Sequence, residues 1–319
     1  MTWACACPPP TRTRCFCFRL VIFLALKIQA GETETVNEAG RVYQRVLCAI
    51  EPHSEWELLL SLAKSIGDEH AQLHAVCVCT GEGESSSVSE PPTYQSLERR
   101  IQEKARFCLG KTDVQTHVIS GVARHAILDI ALEINADVIV VGSRAGSVST
   151  FMLGSTANHV LHFAECDVLS VRLHVNPELC RAQERYSEAA VAVDAHYTDP
   201  RRLMGRARGL TGENAVSLLN VLRIGDCISQ DRFNEGCVEE AYFRAEVQMR
   251  DYGEKFAVPI ERQNLVVGSL EGALRSLAQK GGVSLFVMGD HVYGEGASVP
   301  MDALSGALCA TDCDILVVR

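Results

Sequence analysis

Basic residues are scarce in this chain relative to acidic ones. Its 319 residues include 30 lysines and arginines against 40 aspartates and glutamates, a formal net charge of −10. Nucleic acids and anionic membranes are bound through basic patches, so this balance argues against both as general partners. We therefore expect no nucleic acid and no membrane among the partners, although a local basic pocket is compatible with the charge.

Several signatures of chemistry are also absent. The sequence has no GxxxxGK[ST] phosphate loop, no nucleophile-elbow pattern and no paired zinc motif. The pairs Cys5/Cys7 and Cys15/Cys17 are separated by one residue and have no histidine beside them, which does not fit zinc spacing. We expect no metal site and no dedicated catalytic residue.

Cysteines are numerous, but they do not form the pattern of a disulfide framework. Five of the fourteen lie in or beside apolar, strand-like runs, where a reduced thiol behaves as a small hydrophobe: Cys48, Cys77, Cys79, Cys166 and Cys313. This placement favours a reducing, cytoplasmic location.

Residues 1–40 differ from the rest of the chain. Three arginines precede the apolar run Leu20–Leu26, which Lys27 interrupts. The run is too short to span a bilayer, and no small-x-small cleavage pattern follows it. A signal peptide is one interpretation. We favour a leader that is disordered or absent from the native protein.

From Val42 onward, apolar strand-like runs alternate with helical patterns. The predicted strands are 45–50, 73–79, 114–119, 138–141 and 167–172, and amphipathic segments lie between them. This alternation predicts an α/β fold with a parallel sheet and right-handed crossovers. Ligands of such sheets bind outside the carboxyl ends of the strands, where the strand order switches.

The pattern then repeats. Residues 118–172 align without a gap on 265–319 at an offset of 147, and earlier elements align at an offset of 143. We predict two homologous domains rather than one large sheet: 41–173 and 189–319, joined by a polar linker, 174–188. Each is expected to be a Rossmann-like, five-stranded parallel sheet flanked by helices.

The stretch Gly142–Arg172 carries the strongest ligand signal. Gly142 ends a buried strand, and Gly154, Ser155 and Thr156 open an amphipathic helix. Free backbone N–H groups at a helix start, with hydroxyls beside them, suit an anion such as a phosphate. The alternative is that these small residues only turn the chain.

These residues resemble the universal stress protein family in a tandem form, from Val42 to the end of the chain. The resemblance lies in Gly142-Ser143-Arg144, Gly154-Ser155 and the closing segment Cys166–Arg172. Ala145 departs from it, because the family commonly has a second glycine there. The resemblance implies an adenine nucleotide alpha hydrolase-like fold and a cytoplasmic stress-response protein.

The resemblance also implies a nucleotide site in the first domain. Its residues would be Glu51, in place of the family's aspartate, with Val78, Gly142, Ser143, Arg144, Gly154, Ser155 and Thr156. Arg144 is the expected phosphate contact. The ligand would be ATP or AMP, with Mg²⁺ as an optional companion, and any ATP hydrolysis would be slow.

The second domain departs from this pattern. Asp194 matches the family's aspartate, but Met301-Asp302 replaces Gly154-Ser155. A methionine side chain blocks close approach of the backbone, and an aspartate repels a phosphate. We expect no triphosphate there, and a structural or regulatory role for this domain.

Two other functions remain open. One is a protein-interaction module in which both sites are vestigial. The other, an adenylyl transferase, would need a His-x-x-His motif near the first strand, where only His53 is found. His159 and His162, three residues apart, are interpreted as a surface pair.

The fifth strands, Val168–Val171 and Ile315–Val318, would be exposed apolar edges if they were left unpaired. The family pairs such edges between protomers. We therefore expect either an intramolecular pseudo-dimer or a homodimer through these strands.

Overall fold

The structure is a computed structural model of the chain. It describes residues 43–51, 56–79, 94–110, 113–143, 154–173, 175, 178–179, 181–193, 200–212, 215–222, 235–289 and 311–319. The predicted leader 1–40 lies outside these residues, as do Arg144, Asp194, Met301 and Asp302.

Strands and helices alternate along both parts of the chain. In the first half, residues 43–172, the strands are β1 Tyr43–Ile50, β2 Gly67–Cys79, β3 Val114–Ser120, β4 Val138–Ser143 and β5 Asp167–Arg172. In the second half, residues 189–319, they are β6 Ala189–Ala192, β7 Val216–Leu222, β8 Gln263–Val267, β9 Leu285–Gly289 and β10 Asp314–Val318.

The described helices lie between these strands. They are α1 Glu57–Ile66, α2 Tyr94–Leu109, α3 Ala123–Glu133, α4 Ser155–Phe163, α5 Ala182–Arg185, α6 Pro200–Thr211, α7 Glu235–Lys255 and α8 Leu270–Lys280, with a short 3-10 helix at Ile260–Arg262.

The strands form one ten-stranded sheet in the order β3-β2-β1-β4-β5-β10-β9-β6-β7-β8. Each half is a five-stranded parallel sheet, as predicted. The halves join where β5 and β10 pair antiparallel, with Leu169 opposite Leu316. The two five-stranded sheets are therefore continuous through backbone hydrogen bonds between β5 and β10, which is the pairing of fifth strands expected for an intramolecular pseudo-dimer.

The central strands are buried on both faces, which explains their uninterrupted apolar sequences. All six residues of β5 and all five of β10 are buried. Helices cover both faces of the sheet, and α3 buries Ile127, Ile130 and Ala131. The core therefore forms two apolar layers, one on each side of the sheet.

Two elements differ from the sequence prediction. Strand β2 begins at Gly67 rather than Leu73, because its polar first part pairs with the start of β1 across a register shift. The segment predicted as a linker contains α5 and two deeply buried side chains, Arg185 and Tyr186. A polar composition there concealed residues that belong to the core.

Within the residues that the structure describes, no helix combines the length and the apolar character needed to cross a membrane.

Candidate functional site

Three of the predicted site residues meet at one edge of the first half. Glu51 follows β1, Val78 lies near the end of β2, and Gly142 lies at the end of β4. In the strand register Ile50 pairs with Cys77, and Ala49 pairs with Val141, so the ends of the three strands are level. The chain runs outward from β1 to β3 and then returns to place β4 on the other side of β1. Glu51 and Gly142 therefore flank the switch point, where parallel sheets form a ligand crevice.

Packing favours glycine at position 142. A Cβ atom at this position would lie 2.9 Å from Leu173 Cδ1 and 3.2 Å from Leu59 Cδ1. Leu173 follows the end of β5, so the neighbouring strand closes tightly over the end of β4. Glycine at this position keeps the two strand ends in contact.

Ser143 lies inside the sheet rather than facing the crevice with its hydroxyl. It is buried, and its Oγ donates to the carbonyl oxygen of Val171 at 3.1 Å. Ser143 is also the register partner of Arg172. The side chain therefore ties β4 to β5.

Among the described residues, nothing requires glycine at position 154. Its φ of −56° and ψ of 140° are accessible to any residue. No atom of another described residue lies within 4 Å of the position of an added Cβ. The absent side chain leaves open space at the start of α4.

Helix α4 presents its first turn at this open space. Gly154 is the N-cap and has no side chain to cap the helix, while Ser155 is exposed and Thr156 half-buried. The first N–H groups of a helix have no partner within the helix, and the helix dipole adds partial positive charge there. The first turn of α4 therefore has the chemistry of an anion site.

The predicted pair of His159 and His162 is arranged differently in the structure. The His159 ring stacks on His125 of α3, with centroids 5.3 Å apart, and contacts Phe163 at 4.4 Å. His125 accepts a hydrogen bond from Arg124 Nε at 3.1 Å. The ring stack joins α3 to α4, so it supports the helix that carries Gly154 and Ser155.

Across the described residues, no group of three or more histidine, cysteine, aspartate or glutamate side chains is placed to hold a metal ion. Burial raises the pKa of the Cys77 thiol to about 12 and likewise that of Cys166 to about 12. Both thiols stay protonated and behave as packing groups.

Sequence reasoning missed a buried cluster at the junction of the two halves. Asp314, at the start of β10, accepts hydrogen bonds from the Arg172 backbone N–H at 2.6 Å, from Arg185 Nε at 2.6 Å and from the Tyr186 hydroxyl at 2.8 Å. Burial, followed by the Asp314 charge, raises the pKa of Tyr186 well above its ordinary value. The phenol therefore stays protonated and donates. We call these four residues the Asp314 cluster.

Arg185 extends this cluster along the backbone. Its Nη2 donates to the carbonyl oxygen of Arg172 at 2.8 Å, and its Nη1 donates to the carbonyl oxygen of Val175 at 2.9 Å. Both backbone polar groups of Arg172 are thus held, the N–H by Asp314 and the carbonyl by Arg185.

A related cluster lies at the other end of the junction. Asp167, at the start of β5, accepts from the Tyr43 hydroxyl at 3.0 Å, from Arg206 Nε at 2.9 Å and from the Arg319 backbone N–H at 3.0 Å. Arg202 lies 3.6 Å from the same carboxylate. These residues are the Asp167 cluster.

Asp167 and Asp314 occupy equivalent places in the internal repeat, since they are 147 positions apart. In the sequence, the only indication of their importance is that both belong to the repeated Cys-Asp motif.

Comparison with known proteins gives a consistent result. The model of the Universal stress protein family matches residues 42–172. Universal stress protein A homolog 1 of Coxiella burnetii (strain RSA 493 / Nine Mile phase I) is 32% identical over 142 residues, which cover 40% of this chain and 96% of that protein.

Solved structures match as well. A crystal structure from Pseudomonas aeruginosa UCBPP-PA14 covers 88% of this chain and 94% of its own, at 16% identity and a TM-score of 0.63, and so shares the fold. A universal stress protein in complex with cAMP covers 41% of this chain and 97% of its own, at 23% identity and a TM-score of 0.32. With a family match over the whole first half and a relative matched over nearly its full length, the chain belongs to the universal stress protein family.

Proposed function

We propose that this universal stress protein binds an adenine nucleotide, ATP or AMP, at the switch point of its first half and acts as a cytoplasmic nucleotide-responsive protein. The observation that supports this most is Gly154. Neither its backbone angles nor its described neighbours require glycine. An approaching ligand supplies a reason for the missing side chain, because a phosphate on backbone N–H groups needs close access.

The expected contacts follow from the positions of the described residues. Ser155 and Thr156 offer backbone N–H groups and hydroxyls to a phosphate at the first turn of α4. Glu51 is exposed beside the crevice and offers a carboxylate acceptor to a ribose hydroxyl or an adenine amine. Val78 lies partly buried beside the crevice and offers apolar surface to the base. Arg144, predicted from the sequence as a phosphate contact, and a Mg²⁺ ion on the phosphates complete the proposal.

The test is calorimetric titration of the purified protein with ATP, AMP and cAMP, each with and without Mg²⁺. Gly154→Val should weaken binding more than about tenfold, because a branched side chain would occupy the space of the phosphate. Its thermal unfolding midpoint should match that of the wild type, since no described atom lies near the added side chain.

Phe107→Leu is the control. Phe107 is 91% exposed on α2 and belongs to no part of the proposed site, so its replacement should leave nucleotide affinity unchanged. Wild-type protein that binds none of the three nucleotides better than Gly154→Val does would refute the proposal.

A protein-interaction module is the second candidate function. It is favoured by Met301-Asp302, which replaces the Gly-Ser pair in the second half, and by the exposed apolar side chains Tyr242, Phe243 and Val247 on α7. A partner retained by both the wild type and Gly154→Val, but lost on Phe243→Ser, would support this function.

A further inference from the structure

The end of β5 connects the second half of the molecule to the candidate site of the first half. Arg172 is the last residue of β5 and the register partner of Ser143, the last residue of β4. The next residue, Leu173, donates its N–H to the Ser143 carbonyl at 3.3 Å and packs against Gly142. The position of the β4 end therefore depends directly on the position of Arg172.

Arg172 itself is held from the second half and from the segment that joins the two halves. Asp314 of β10 accepts its N–H at 2.6 Å, and Arg185 donates to its carbonyl at 2.8 Å. Arg185 and Asp314 are almost fully buried, with side-chain exposures of 4% and 2%. Buried, charge-assisted hydrogen bonds of this kind are stronger than those exposed to water, and they fix geometry well.

We propose that the Asp314 cluster positions the end of β4, and with it Gly142 and Ser143, for ligand binding in the first half. The geometry of that site would thus be set partly by residues outside the first half of the chain. The ligand part of this inference rests on the proposed nucleotide function. Asp314, Arg185 and Tyr186 are positioning residues, because they act through Arg172 and do not touch the site.

The Asp167 cluster provides an internal control, because it has the same design at the opposite end of the junction. Asp167 accepts the N–H of Arg319, which follows the end of β10 beside Gly289 of β9. That strand end belongs to the second half, where Met301-Asp302 replaces the Gly-Ser pair. The Arg319 side chain also donates to the Leu161 carbonyl, but this contact lies in the last turn of α4, away from Ser155.

The experiment compares Asp314→Asn with Asp167→Asn in the full chain. Both substitutions remove a buried charge from the junction and keep one oxygen as an acceptor. Asp314→Asn should weaken ATP binding, measured by calorimetric titration, by roughly two- to thirtyfold, a typical range for residues that act through a network. Asp167→Asn should leave the affinity within about twofold of the wild type.

Amide hydrogen exchange provides a measurement that needs no ligand. Exchange of the amides of 141–143 should accelerate in Asp314→Asn and not in Asp167→Asn, because Asp314 holds the register partner of Ser143, whereas Asp167 pairs with Val138 at the start of β4. If the wild type binds no nucleotide, the proposed function fails, while the exchange comparison still decides whether Asp314 positions the β4 end.

A milder pair of variants covers the case in which the charge changes prevent folding. Tyr186→Phe removes one hydrogen bond to Asp314, and Tyr43→Phe removes the corresponding bond to Asp167. Tyr186→Phe is expected to lower ATP affinity more than Tyr43→Phe does. It is also expected to accelerate amide exchange at the end of β4 more than Tyr43→Phe does. Equal effects of the paired variants, or no effect of either, would overturn the inference.

Discussion

The two ends of the junction between β5 and β10 each contain a buried aspartate, but they neutralise its charge with different residues. At each end a buried aspartate accepts the hydroxyl of one of two repeat-related tyrosines, Tyr43 or Tyr186, and a backbone N–H from the other half. The cation differs. Asp314 is paired with Arg185, from the segment just before β6, whereas Asp167 is paired with Arg206, from α6 across the junction.

The difference shows how a repeated chain becomes asymmetric. The first-half counterpart of Arg206, at the offset of 143, is Ala63, a buried alanine of α1. If two first halves paired with each other through β5, each Asp167 would face an alanine instead of an arginine. An uncompensated buried carboxylate is strongly destabilising. The junction therefore favours pairing of the first half with the second over pairing of the first half with its own copy.

The largest expected effect comes from removing one cation at a time. Arg185→Met should lower the free energy of unfolding by about 3–5 kcal/mol, because Asp314 loses its buried counter-ion. Arg206→Met should cost less, about 2–3 kcal/mol, because Arg202 already lies 3.6 Å from Asp167 and can compensate. Urea unfolding followed by circular dichroism measures both values. Equal losses would show that Arg202 does not compensate.

A second comparison concerns a pair of neighbouring histidines in the first half that the second half replaces with other residues. His74 of β2 is buried, and its Nδ1 lies 3.1 Å from Nε2 of His117 on β3. The corresponding residues of the second half are Ser217 and Asn264, which do not titrate. Burial, followed by the charges of His117 and Arg45, lowers the pKa of His74.

The sign of the pH dependence follows from this direction. As the pH falls through about 6.5, the ordinary value for histidine, the unfolded chain takes up a proton that folded His74 resists. Stability should therefore be fully present above that pH and fall towards pH 5. The double variant His74→Ser/His117→Asn, which introduces the second-half residues, should flatten this dependence in urea unfolding at pH 7.5 and 5.5. An unchanged slope in the double variant would assign the acid sensitivity to other groups.

The smallest expected effect concerns two equivalent cysteines. Burial raises the pKa of both Cys166 and Cys313, but a hydrogen bond from Thr311 partly offsets the shift at Cys313. The first-half counterpart of Thr311 is Ala164. Because the thiolate is the reactive form, Cys313 should be alkylated by iodoacetamide faster than Cys166 at pH 8. Thr311→Ala should remove most of the difference, as followed by peptide mass spectrometry, whereas Ala164→Ser should leave Cys313 unaffected.

Much of the fold could be predicted because apolar periodicity is a local signal. Strands β4 and β5 and the inward face of α3 are visible in short windows of sequence. The parallel topology also predicted that the strand ends at Glu51, Val78 and Gly142 lie together at one edge of the sheet. The start of β2 was missed, because the residues from Gly67 to Gln72 are mostly polar and pair with the start of β1 across a register shift.

The junction could not be predicted in the same way, because its contacts are remote in sequence. Tyr186 and Asp314 are 128 residues apart, and Arg172 and Asp314 are 142 apart. Arg185 lies in a segment whose composition is that of a linker. An arginine is buried only when it has a partner, and the partner here is too remote in sequence for a local pattern to reveal it. The prediction for Ser143 likewise rested on a motif, which does not specify that its hydroxyl bonds to Val171.

The pairing of β5 with β10 also has a consequence for the order of events during synthesis. Strand β5 leaves the ribosome 147 residues before β10. At typical elongation rates this leaves an apolar strand edge uncovered for roughly 7–30 seconds. During that interval a nascent first half can be captured by another strand edge, including that of a neighbouring nascent chain. Covering this edge during synthesis would therefore favour the native pairing of β5 with β10.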